Sequence, residues 1–180
     1  MSTEAADRTT TLPTGTWTSD LVHSSIVFRA RHMMVSTFRG ELPRFDVTVE
    51  DGTLTGTAPV SAIVTRDETL TGHLASPEFF DAEHHPEVTY RSTATRAEGD
   101  GLVMDGELTI KGISSPLALR GSVTGPHEDP FGLQRIGIDL HGSIDRRDFS
   151  MNWQADLPGG GVVLGNDVAL AAQIELVERS

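Results

Sequence analysis

The chain of 180 residues contains no cysteine, so disulfides and thiolate chemistry play no part in whatever it does. No apolar run approaches the ~20 residues that a membrane-spanning helix needs. Residues 1–13 carry Glu4 and Asp7 against one basic side chain and have no apolar core of the kind a secretory signal requires. These absences lead us to expect a disordered leader over residues 1–14 and a cytoplasmic location, with a mature periplasmic or secreted form as the other outcome. Basic residues are scarce as well: 14 stand against 26 acidic ones, for a net charge of −12. Nucleic-acid binding relies on Lys and Arg to neutralise phosphates, and this balance excludes it as a general partner.

What the chain has in quantity is two-residue alternation. Over residues 53–65, Leu54, Gly56, Ala58, Val60, Ala62 and Val64 fall on every second position with mostly polar residues between them. On a strand such residues share one face, so this segment predicts a long, half-buried strand. The same pattern recurs over residues 25–31, 37–49, 87–95, 102–111, 116–123, 133–144 and 167–177, giving about eight strands. A bulge is expected near Pro43, and tight turns at Asp51-Gly52, 99–101 and 112–115, with a loop over 125–132. Between residues 65 and 86 the alternation stops. Leu70 and Leu74 are spaced as on a helix face, and Ser76-Pro77-Glu78 reads as the start of a second helical turn leading into Phe79 and Phe80. One domain over residues 15–180 is expected: an all-β, eight-stranded antiparallel barrel with a short helical insert between the third and fourth strands. A two-sheet sandwich is the competing arrangement. Eight strands suffice to enclose a space for one small ligand.

The order and spacing of several segments resemble the YceI family, the lipocalin-like polyisoprenoid-binding proteins of bacteria. They are Trp17, His23-Ser24, Phe28, the run from Arg31 through Gly40, the run from His73 through Asp81, and Pro86 followed by Thr89-Tyr90-Arg91-Ser92. Gly106-Glu107-Leu108-Thr109-Ile110-Lys111-Gly112, Arg147-Asp148-Phe149 and Asn166-Asp167-Val168 complete the set. The resemblance implies an elongated lipocalin-like barrel whose bore takes a long isoprenoid chain, such as a prenyl phosphate or quinone-like lipid, with no cofactor and often as a homodimer. Two departures bear on the head group. Leu70-Thr71-Gly72 stands where an Arg-Asp pair is common, and Ser150 replaces a glycine.

The residues expected to meet such a ligand are Phe28, His32, Met34, Phe38, Leu42, Phe45, Leu70, Leu74, Phe79, Phe80, Tyr90, Phe149 and Trp153. Arg147 is expected near the mouth, where a guanidinium pairs a phosphate bidentately. Burying a tail gains ~0.8 kcal/mol per CH2, so an apolar tunnel binds without catalytic groups. The seven histidines lack the spacing of a metal set, and Pro158 with its following glycines lacks the context of a phosphate loop. Two other readings stay open here: a small barrel enzyme with His32 as base, and a ligand-free, stress-linked interaction module whose barrel is filled by its own side chains.

Overall fold

The computed structural model describes residues 8–180. Among the described residues eleven strands and one α-helix follow one another as β1 (Arg8–Thr9), β2 (Thr16–Ser19), β3 (Ser25–His32), β4 (Ser36–Glu41), β5 (Asp46–Glu50), β6 (Thr53–Pro59), α1 (Glu68–Ala75), β7 (Glu87–Glu98), β8 (Gly101–Ile110), β9 (Ile113–Glu128), β10 (Gln134–Asp145) and β11 (Leu164–Arg179). Eight of them close a ring of antiparallel neighbours in the order β2, β5, β6, β7, β8, β9, β10, β11 and back to β2. The sandwich alternative is thereby excluded.

Two staves of the barrel are each built from a pair of strands. β11 pairs with β2 over Leu176 to Arg179 and then with β3 over Leu164 to Gln173, along the same edge. Between them a 3-10 turn, Leu21–His23, is held by the Asp20 carboxylate, which accepts from Val22 N. β4 and β5 likewise follow one another beside β3 and β2, separated by residues 42–45. Pro43 stands in that break, having no N–H to give to a ladder.

Inward positions keep a single parity along each strand: Ile136, Ile138, Leu140 and Ile144 on β10, and Val168, Leu170, Ala172, Ile174 and Leu176 on β11. Tight turns set the register. Asp51 and Gly52 both have positive φ, +45° and +83°, as do Lys111 and Gly112, at +53° and +72°. These signs are those of the hairpin turn whose twist matches its strands. The second of these turns begins one residue earlier than the sequence pattern indicated, since Ile110 pairs directly with Ile113. The loop expected over 125–132 is also shorter than predicted, because β9 continues to Glu128 in pairing with β10.

α1 opens where Asp67 accepts from Leu70 N at 2.8 Å, an N-cap that satisfies one of the orphan donors of the first turn. At eight residues with Gly72 inside, it is held by packing of Leu74 rather than by propensity. Ser76 ends this helix instead of starting another: its hydroxyl and its N–H both donate to His73 O. The expected second helical start is thus overturned, and 76–80 forms a run of turns.

The interior divides in two. At one end Trp17, Val49, Leu102, Met104, Val123, Ile136, Ile138 and Leu176 fill the barrel, with Leu12 packed beneath them. Of the leader expected over residues 1–14, residues 1–7 lie outside those described. Residues 8–14 are not a loose tail, since Arg8 and Thr9 pair with β9 and Leu12 is buried. The other end is not filled. Leu176→Ala should lower stability by ~2–5 kcal/mol through an unfilled void in this plug. Val35→Ser on an exposed turn should change it by under ~0.5 kcal/mol; urea unfolding midpoints at constant slope compare the two.

Candidate functional site

Beyond the plug lies a cavity of about 310 Å³. Its floor is formed by Phe45, Val47, Leu54, Ala58, Leu140 and Ile174, which belong to the plug's own cluster. Its walls are Ile26, Phe28 and Ala30 of β3, Phe38 of β4, Val88 and Tyr90 of β7, Leu108 and Ile110 of β8, Leu117 and Leu119 of β9, Ile144 of β10, and Val168, Leu170 and Ala172 of β11. Leu70, His73 and Leu74 of α1, with Phe79, Phe80, Met151 and Trp153, stand over the open end. The bore expected from the sequence is therefore blind, entered from one side of the barrel.

Glycine keeps this space open. Phe28 lies across Gly40, its direct partner on β4, and Tyr90 lies over Gly106 of β8. A β-carbon at either glycine would collide with the ring, so each ring lies flat against the wall and leaves the lumen clear. The Tyr90 hydroxyl is 3.3 Å from both Met104 O and Leu117 O, to which it donates. Burial pushes its pKa up to about 12, and Asp105 adds to the rise, so the phenol is neutral through the physiological range.

Two aromatic groups frame the mouth. Phe28 meets Phe38 edge-on at 5.9 Å and Phe80 at 6.1 Å. On the other side the His73 ring stands edge-on to Phe79 at 4.9 Å and to Trp153 at 5.3 Å, with its Nε2 2.6 Å from Glu78 Oε2. Such edge-to-face pairs add to the gain from area burial.

One charged side chain reaches the cavity wall from the interior. Arg146 is 2% exposed and donates to four carbonyls: Nε to Gly165 O at 3.0 Å, Nη1 to Met151 O and Trp153 O at 2.7 Å each, and Nη2 to Leu164 O at 3.4 Å. Among the described residues no carboxylate lies within ion-pair distance of it. Burial pushes its pKa down, with Asp145 nearby opposing the fall. A buried cation whose direct hydrogen bonds all go to carbonyls, with no carboxylate in contact, is a favourable neighbour for an anionic head group.

Of the residues singled out from the sequence, Phe28, His32, Phe38, Leu42, Phe45, Leu70, Leu74, Phe79, Phe80, Tyr90 and Trp153 line the cavity. Met34, Arg147 and Phe149 do not. Met34 is turned outward at a hairpin end, 58% exposed. Phe149 is buried in the surrounding core, because the 3-10 turn Arg146–Phe149 resets the side-chain direction at the end of β10. Arg147 points outward and chelates Asp145, with Nε and Nη2 at 2.9 and 2.6 Å from its two oxygens. The arginine on the cavity is Arg146. The alternation could have found it, since 146 continues the even parity of Ile136 through Ile144. The aliphatic wall carries the same alternation as solid core, so nothing in the sequence marks it as a site. His32 stands exposed at the mouth. Far from it, the Asp20 and Glu175 carboxylates converge beside His23, and the cation between them is the Arg135 guanidinium, 2.9 and 2.7 Å away.

Comparison with known proteins gives one consistent picture. A family model described as the YceI-like domain matches residues 17–176. A UPF0312 protein of Staphylococcus aureus strain MSSA476 is 35% identical over 167 residues, covering 88% of this chain and 95% of that protein, and one from strain N315 matches over the same shares. Among solved structures, Burkholderia cenocepacia BcnA superposes with a TM-score of 0.74 at 21% identity, covering 87% of this chain and 98% of its own. A polyisoprenoid binding domain from Saccharophagus degradans, implicated in plant cell wall breakdown, gives 0.73 at 12% identity, over 91% and 98% of the two chains.

Two outcomes test this geometry. Arg147 hydrogen bonds hold the Asp145 carboxyl down at about 2. Asp145 thus contributes stability that is complete above about pH 4 and fades as the pH falls towards 2. In Arg147→Ala the carboxyl should rise towards the ordinary range without reaching it, because the backbone N–H of residue 147 still donates to it, as read by carbon-detected NMR titration. Arg146→Leu should remove a donor from four carbonyls, of which Leu164 O keeps another in Gln154 Nε2, and hydrogen exchange should then quicken across residues 151–165 relative to the β8–β9 ladder.

Proposed function

We propose that this chain, which belongs to the YceI family, holds the tail of an isoprenoid-like lipid, a prenyl phosphate or quinone-like molecule, inside its blind barrel and carries or stores it unchanged. The observation behind this is the cavity: about 310 Å³ of space bounded mainly by aliphatic and aromatic side chains, with polar groups limited to His32, His73, Thr57, Thr89, the Tyr90 hydroxyl and Arg146. That volume lies within the range of ligand sites, ~300–1,000 Å³. Binding in such a space is driven by withdrawal of apolar surface from water and needs few polar contacts.

The head group in this reading sits at the mouth, between His32 and the edge where Arg146 gathers its carbonyls. A neutral Tyr90 and the apolar wall leave the tail nothing to react with. Catalysis with His32 as base gains no support from the geometry, since among the described residues no side chain hydrogen-bonds its ring to orient it. The barrel is not filled by its own side chains, which takes away the basis for a ligand-free module. The Saccharophagus domain of the same fold, described as binding polyisoprenoid, is in keeping with the lipid reading. The homodimer implied by the family resemblance belongs to the same proposal. As for the bilayer itself, no helix among the described residues is long and apolar enough to cross it.

Native mass spectrometry of protein purified from its own host tests both parts, reading the mass of any lipid carried and the number of chains. A lipid adduct that organic solvent extracts, together with uptake of a fluorescent prenyl probe from detergent, is the expected result. Ala172→Phe, which fills the cavity from β11, should abolish uptake while unfolding cooperatively. Bare protein with no uptake would overturn the proposal.

A further inference from the structure

The hairpin of β3 and β4 ends in three apolar residues that the barrel core does not use. Met33 is 43%, Met34 58% and Val35 81% exposed. Met33 and Met34 both hold positive φ, +51° and +64°, a region that ordinary side chains occupy only at a cost and that hairpin turns usually give to Asn or Gly. This end of the hairpin adjoins the cavity. Met33 N donates to Val163 O at 2.7 Å, and His32 pairs with Leu164; all three partners of these contacts other than Met33 line the cavity.

The flanks of the same hairpin are basic. Phe28, Ala30, His32 and Phe38 face the cavity, so Arg29, Arg31 and Arg39 face outward. Arg29 stands directly opposite Arg39, a like-charge pairing that weakens a sheet. Arg39 has only the half-exposed Glu41 at 3.7 Å, and among the described residues no carboxylate lies within ion-pair distance of Arg29 or Arg31. The Arg31 guanidinium reaches forward to Met34 O at 2.8 Å, which brings its charge to the apolar end. Residues 21–45 hold four arginines and a single acid, Glu41, in a chain of net charge −12. Other exposed apolar side chains lack this setting: Phe131 stands beside Glu128 and Asp129, and Val22 beside Asp20.

We propose that this hairpin docks the protein on an anionic lipid bilayer. Met33, Met34 and Val35 enter the interfacial layer, and Arg29, Arg31 and Arg39 meet head-group phosphates, so that the cavity mouth faces the membrane from which a tail is drawn. The occupant is chosen by charge. An anionic surface attracts this hairpin and repels the acidic remainder, which also fixes the orientation. The proposal rests on the reading of the cavity as a lipid-tail site and names the source of the tail.

The full-length protein is tested by co-sedimentation with vesicles of phosphatidylcholine alone and of phosphatidylcholine mixed equally with phosphatidylglycerol. Binding is expected to the mixed vesicles only and to weaken at high salt. The double variant Met34→Ser, Val35→Ser should lose about tenfold or more in partition. Arg29→Gln with Arg31→Gln should lower binding and flatten its salt dependence. Both pairs should unfold as the wild type does and take up the prenyl probe from detergent unchanged. Met34→Trp should emit at shorter wavelength with mixed vesicles and not with neutral ones. Equal binding to both vesicle types, no binding to either, or unchanged binding by the variants would overturn the proposal. So would a dimer that the tip variants convert to monomer without any vesicle binding, which would assign this surface to a second copy of the chain. Uptake from detergent without vesicle binding removes docking and leaves the cavity reading standing. Vesicle binding on the expected pattern without uptake does the reverse.

Discussion

β11 hydrogen-bonds to β10 along one edge and to β2 and then β3 along the other, and every other property of the barrel follows from that ladder. With both edges paired, the sheet has no choice but to curve round on itself, and one face of each strand must look into a common interior. Because side chains alternate, the interior residue at each level is set by register alone. Leu176 pairs with Ile136 and Ile138 with Val123, so the large side chains of neighbouring strands arrive at the same height and fill it. Further along the same strands the levels bring Ala172, Ala30 and the two glycines under Phe28 and Tyr90, and there the interior is hollow. Filled and hollow halves are one sheet read at two heights.

The hollow half is also where the regular ladder gives out. Beyond Pro59 the chain leaves the sheet, and residues 60–86 take over part of the wall, with Val64 and Glu41 exchanging backbone hydrogen bonds in place of a full strand pair. α1 and the turns after it bring His73, Phe79 and Phe80 over the opening. Beside them Arg146 and the segment 151–165 form the next stretch of rim, where Trp153 meets the rings of His73 and Phe79 and Gln154 bonds both the N–H and the carbonyl of Leu164. Closure at one end and interruption at the other are thus two uses of the same chain economy.

Much of this was legible in the sequence. Alternation located most of the strands, although the one expected over 53–65 leaves the sheet after Pro59 for a 3-10 turn at Val60–Ala62 and the one expected over 37–49 breaks at 42–45. Asp51-Gly52 located a hairpin, and Leu70 with Leu74 behind Asp67 located the helix, because each signal depends on local geometry. What escaped depended on contacts distant in the chain. Ser76 carries the composition of a helix start, yet it closes α1 because the carbonyl of His73 is already waiting for it. Arg8, Thr9 and Leu12 look like a polar leader until β9 supplies an edge for them. The choice between Arg146 and Arg147 turns on parity continuing past the end of β10, a signal present in the sequence but fainter than the Arg147-Asp148-Phe149 run, which points to the wrong arginine of the two for the cavity wall. The aliphatic cavity wall was hidden for a different reason: alternation marks a residue as inward without saying whether its neighbours across the barrel reach far enough to meet it.

The grip of Arg146 on Gly165, Leu164, Met151 and Trp153 makes the two stretches of rim unlike. On that side any widening would strip several bonds at once from a desolvated cation, so the wall there behaves as a fixed jamb. Next to that jamb, α1 rests on Leu74 and on the ring contacts of His73 with Phe79 and Trp153, while the hairpin end is tied to the jamb itself by Met33 N on Val163 O and by the pairing of His32 with Leu164. A bulky molecule passing in or out would therefore part the ring contacts of α1 sooner than the bonds of the jamb, and the vessel yields on its helix side.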